Sequence, residues 1–73
     1  MEELTVYNVW ATYTTTDGKK KKGPVTMKST LNEAMEVMAG ARLSYGLWQK
    51  YGDVKYFTLH LEEQHLEPSK KEA

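Results

Sequence analysis

The 73-residue sequence contains no cysteine, two prolines, one phenylalanine and no net charge, its ten lysine and arginine residues balancing ten aspartate and glutamate residues. Without cysteine there is no disulfide framework, no thiolate nucleophile and no thiolate metal ligand. A formal charge of zero argues against coating nucleic acid or anionic membrane through an overall field, so any electrostatic function has to be local. No apolar run approaches the roughly 18 residues of a spanning helix. The start, Met1-Glu2-Glu3-Leu4, is acidic where a secretory leader is basic. The expectation is a soluble, cytoplasmic protein with no membrane partner.

Catalytic signatures are also missing. The sequence holds no P-loop, dinucleotide fingerprint or nucleophile elbow. Its carboxylates fall as Glu2-Glu3, Glu33 with Glu36, and Glu62-Glu63, positions that read as solvated surface rather than sites of perturbed pKa. His60 and His65 are two imidazoles with no further ligands to complete a tetrahedral set, so no metal and no cofactor is expected. The methionines Met27, Met35 and Met38 read as adaptable core filler. A chain of this length forms a single small domain, and the reading is a non-enzyme.

What is present is alternation. Thr5 to Thr15, TVYNVWATYTT, is rich in β-branched and aromatic residues, with Tyr7, Val9, Ala11 and Tyr13 on one face at period two. Asp17-Gly18 supplies a turn, and Val25 and Met27 resume the apolar pattern after Pro24. A two-residue turn would oppose Trp10 to Val25 and Asn8 to Met27. A three-residue loop, Thr16-Asp17-Gly18 with a left-handed glycine, opposes Val9 to Val25 and Tyr7 to Met27, which keeps the apolar residues together and is preferred. Thr30 followed by Glu33 forms a capping box that starts a helix at Leu31. Leu31, Ala34, Met35, Met38, Ala41 and Tyr45 then make a buried stripe, and the helix ends at either Gly46 or Gly52. In DVKYFTLHLEE the alternation returns, with Phe57, Leu59 and Leu61 opposite in face to Tyr56, Thr58 and His60. The order β-β-α-β implies an α+β fold, a three-stranded antiparallel sheet of order 2-1-3 with one helix on one face. Residues 1–62 form the domain, and 63–73 are expected to be a polar, disordered tail.

Two groups of residues are candidates for binding. Trp10, Thr12, Tyr56, Thr58 and His60, with Lys55 beside them, fall on the sheet face away from the helix, where exposed aromatics serve as interface anchors; the plainer reading is cross-strand packing. Lys19, Lys20, Lys21 and Lys22, with Lys28, offer cations to nucleic-acid phosphates in a salt-dependent way. Here the plainer reading is that lysines and a proline on an edge strand discourage another chain from pairing there.

Trp10-Ala11-Thr12 in the first strand and Thr30-Leu31-Asn32-Glu33-Ala34 at the helix start resemble the small early proteins of podoviral coliphages that inhibit host bacterial RNA polymerase. Those proteins share the β-β-α-β order, a Trp-Ala-Thr in the first strand and a Thr-Leu-Asp-Glu-Ala at the helix start. The likeness covers about half of the chain, Val9 to Thr16 and Ser29 to Val37 with the second strand between. It implies a phage-encoded inhibitor that docks on a large host complex, with RNA polymerase the expected partner. This chain departs from the family in its balanced charge, its lysine hairpin, a helix region longer by Leu43 to Tyr51, and the absence of arginine from the last strand.

Overall fold

In a computed structural model, which describes residues 4–66, the chain forms strands β1 (Leu4–Thr15), β2 (Lys20–Lys22) and β3 (Thr26–Lys28), helix α1 (Leu31–Lys50) and strand β4 (Val54–Leu66). β1 is central. β2 and β3 succeed one another along one of its edges, β4 lies along the other, and all pairings are antiparallel. The helix covers one face, packing on β1, β4 and β3. This is the α+β layer anticipated from the pattern, with the single expected second strand broken in two.

The break follows from register. Thr15 donates its amide to the Lys19 carbonyl (2.9 Å) and Gly18, at φ 88°, closes the turn onto Thr15. This is the three-residue loop with a left-handed glycine, and β2 keeps its register: Tyr13 opposes Lys21 and Thr12 opposes Lys22. Beyond Gly23-Pro24 one residue is gained, so β3 sets Val9 opposite Thr26 and Asn8 opposite Met27. The expected pairs Val9 with Val25 and Tyr7 with Met27 are therefore not formed. Proline has no amide to give to the ladder, and a bulge there accommodates it. A one-residue slip moves side chains to the other face, and Val25 and Met27 end up exposed.

The helix begins as read. Thr30 Oγ1 accepts from the Glu33 amide (3.2 Å) and donates to the Glu33 carboxylate (3.1 Å). It runs through Gly46 and stops at the later glycine: Tyr51 is the C-cap, Gly52 has φ 98°, and the Asp53 amide reaches back to the Trp48 carbonyl at 2.9 Å, as in a Schellman motif. The stripe facing the sheet is Ala34, Val37, Met38, Ala41 and Tyr45. Leu31 and Met35, expected within it, are 46% and 54% exposed. Ala34 and Ala41 face the sheet because small residues let the helix come close, and this rotates the longer side chains of Leu31 and Met35 off to the side.

The buried apolar residues of the described chain are Val9, Ala11, Ala34, Tyr45 and Val54. Four of these are small, so Tyr45 supplies most of the buried volume. Its ring meets Tyr13 (centroids 5.2 Å apart), Phe57 (5.6 Å) and the edge of Trp48 (4.8 Å), each such pair contributing about 0.5–1.5 kcal/mol beyond burial. Its hydroxyl reaches the backbone of Gly23, where an added Cβ would lie 2.5 Å from the phenolic oxygen.

β4 departs from expectation at its far end. The ladder with β1 continues past Glu62 through Glu63, Gln64, His65 and Leu66, which oppose Tyr7, Val6, Thr5 and Leu4. Residues 63–66, assigned to a disordered tail from their polarity, are thus strand, because a backbone ladder can extend a polar segment when a long partner is already in place. The remainder of the expected tail, 67–73, lies outside the described residues.

Gly23→Ala should destabilise the fold by about 1–3 kcal/mol through overpacking. In a Tyr45→Phe background the nearest atoms to the new methyl become Ala11 O at 3.6 Å and the ring carbon at 3.8 Å, so most of that cost should vanish, as a denaturant double-mutant cycle would report. Burial also raises the Tyr45 pKa above its ordinary 10.0. Ionisation is therefore easier in the unfolded chain. The stabilisation is complete below the unfolded pKa and is lost as pH rises through the folded one, so alkaline denaturation curves should flatten in Tyr45→Phe.

Candidate functional site: the helix-free face of the sheet

Directly opposed residues in an antiparallel sheet share a face. The face without a helix therefore carries Asn8, Trp10, Thr12 and Thr14 of β1, with Glu62, His60, Thr58 and Tyr56 opposite them on β4. Lys22 and Lys20 on β2 oppose Thr12 and Thr14, and Met27 on β3 opposes Asn8. The polypeptide thus gathers five of the six expected partner-binding residues, Trp10, Thr12, Tyr56, Thr58 and His60, on one surface. Lys55 sits in the irregularity between Val54 and Tyr56, its ammonium 5.5 Å from the Tyr56 ring centre.

The centre of the face is a three-residue stack. The Trp10 and His60 rings lie 5.1 Å apart and 15° from parallel, and the Lys22 ammonium is 5.5 Å from the indole centre. His60 Nε2 and Thr12 Oγ1 are hydrogen-bonded at 2.8 Å, which fixes the imidazole against the indole. Trp10 is half-buried by these neighbours and leaves the rest of its ring to solvent. Asn8, 8% exposed, donates from Nδ2 to Gln64 Oε1 at 2.9 Å. Sequence reasoning missed Asn8, Gln64 and the special position of Lys22. The parity that placed Trp10 would have placed Asn8 and Lys22 with it.

The lysine run does not act as a unit. Strand alternation sends Lys20 and Lys22 to the helix-free face and Lys21, opposite Tyr13, to the other. Lys19 lies at the loop 4.0 Å from Asp17, and Lys28 opposes Tyr7 on the helix side. Asp17 accepts from the Thr15 hydroxyl and from the Lys19 amide, and these bonds lower its carboxyl pKa below the ordinary value. Of the five lysines expected to meet phosphates, two reach the surface occupied by the aromatics.

This face carries charges of both signs close together: Lys20 and Lys22 stand toward the hairpin, and Glu62, opposite Asn8, lines the same hollow as Lys22 and Trp10. Among the described residues no three His, Asp or Glu side chains cluster in a way that could hold a metal ion, and no helix is long and apolar enough to cross a membrane. Comparison of the chain with protein-family models, curated proteins and solved structures finds no match.

Trp10→Ala and His60→Ala should each lower stability by about 0.5–1.5 kcal/mol, the range of an aromatic pair. Their combined cost should fall short of the sum, since each removes the same stack. Urea melts of the two single variants and the double variant measure the difference.

Proposed function

We propose that this chain is a non-enzymatic binding protein that docks through the helix-free face of its sheet and blocks a host macromolecular machine, as a phage-encoded inhibitor of bacterial RNA polymerase acting in the host cytoplasm. The supporting observation is the Trp10–His60 stack, held by Thr12 and Lys22 in the middle of an uncovered, flat surface. A pre-ordered Trp with cations and hydroxyls around it has the composition of a protein-binding hot spot, and its order is prepaid in the folded state, which limits the entropy lost on docking. The mixed charge favours a protein partner over a uniform polyanion, because Glu62 would oppose phosphates laid along the face. The choice of polymerase rests on the resemblance in the first strand and at the helix start.

Purified bacterial RNA polymerase should be retained by the immobilised protein, and its transcription should fall when the protein is in excess. Trp10→Ala and Lys22→Glu should each weaken capture by about tenfold or more, a loss of at least 1.4 kcal/mol, with the circular dichroism spectrum unchanged. Normal transcription in the presence of excess protein would dismiss the polymerase.

Lys20 and Lys22 beside Trp10 and Tyr56 favour a second reading, a short single-stranded nucleic acid stacked on the aromatics at the hairpin end. In that case gel shifts with single-stranded oligonucleotides at low salt should show binding that weakens steeply as salt is raised and is lost in Lys20→Gln/Lys22→Gln. No shift at low salt excludes it.

A further inference from the structure

The outer edge of β4 is unpaired among the described residues, for β4 bonds only β1. Long bare edges are ordinarily blunted by lysine, proline or a bulge, yet from Tyr56 to Leu66 this strand has no proline and no lysine. Gly23 donates to Ala11 O and Thr15 to Lys19 O, so odd-numbered β1 residues direct their main-chain groups toward β2 and even-numbered ones toward β4. On β4 the even-numbered residues bond back to β1. Phe57, Leu59, Leu61 and Glu63 therefore present amides and carbonyls outward.

Beside this edge the helix exposes a groove whose lining is apolar, Met35, Met38, Ala39, Leu43 and Leu61, apart from Arg42, with Leu43 71% exposed. We infer that the β4 edge and this groove form the interface with a second copy of the chain, β4 pairing antiparallel with β4 across a twofold axis normal to the sheet. Such an axis keeps both helices on one side, and one residue must oppose its own copy across the axis because opposed side chains share a face.

Side-chain complementarity selects the residue. An axis at Leu59 opposes Phe57 to Leu61 of the second copy, twice by symmetry, and brings the irregularity that holds Lys55 beside Glu63 of the second copy, also twice, within reach of the long lysine side chain once it leaves the Tyr56 ring. An axis at Leu61 would instead set Leu59 against Glu63 and Phe57 against His65. The Leu59 register also uses residues whose main-chain groups point outward. Each helix lies over β4, β1 and β3, so with strands about 4.8 Å apart the two helix axes stand roughly 10 to 14 Å apart, at or somewhat beyond the usual packing distance. The groove residues then fill the helix–helix seam, where Ala39 permits close approach. The two Trp10 faces point the same way and make one continuous platform. The dimer is independent of which partner that platform meets.

Sedimentation across a concentration series should show a species of twice the 8.4-kDa chain mass. Leu43→Glu, at an exposed position, should give a monomer with an unchanged circular dichroism spectrum. Lys55→Glu should weaken self-association by up to about fivefold for each of the two symmetric pairs, and adding Glu63→Lys should recover it. Hydrogen exchange at the Phe57, Leu59 and Leu61 amides should be slower in the parent chain than in Leu43→Glu. A strictly monomeric mass up to millimolar concentration overturns the dimer. So does an association that survives Leu43→Glu, or one that is lost on Trp10→Ala instead.

Discussion

The contact between Tyr45 and Gly23 sets the spacing on which the rest of the structure depends. With Val9, Ala11, Ala34 and Val54 as the other buried apolar residues, the two layers have little volume to share. One phenol ring, bordered by Tyr13, Phe57 and Trp48, fills what remains. It fits because the edge backbone opposite has no side chain at Gly23. Interiors pack at nearly crystalline density, so that ring fixes the height of the helix, and the helix in turn decides which sheet face stays open. The chain leaves its first edge register immediately after the same glycine.

Parity in β1 then divides the molecule. Odd residues from Tyr7 to Tyr13 go under the helix and even residues from Asn8 to Thr14 go to the open side, so one strand specifies both the core and the uncovered face. The lysines are divided by the same rule. Four adjacent cations in sequence become two on the open face and two elsewhere, which turns an apparent polyanion clamp into a pair of cations on a surface that also carries Glu62. Mixed charge of this kind complements mixed charge rather than a uniform polyanion.

Much of this was legible in the sequence. The alternation in TVYNVWATYTT and in VKYFTLHL placed Trp10 and His60 on the uncovered side because period two is a direct geometric property of a strand. The Thr30–Glu33 box located the helix start because its chemistry is local. Failures came where the answer depended on a distant partner. Pro24 reads in sequence only as a guard on the edge strand, and the one-residue shift that follows it occurs where Tyr45 lies against Gly23. Leu31 and Met35 matched a helical stripe as well as Val37 did, and the width of the sheet beneath decided between them. Residues 63–66 looked like tail because their own side chains offer nothing to a core; β1 extending alongside is what makes them strand.

The longest ladder in the fold joins Leu4–Thr15 to Val54–Leu66, segments some fifty residues apart in sequence. During synthesis β1 emerges well before β4 and has only β2, β3 and α1 as partners until residues as late as Leu66 have cleared the ribosome. Pairings this remote close slowly because a large loop has to be ordered before any contact rewards it. The outer edge of β1 that β4 will occupy therefore stays open until the last strand is complete.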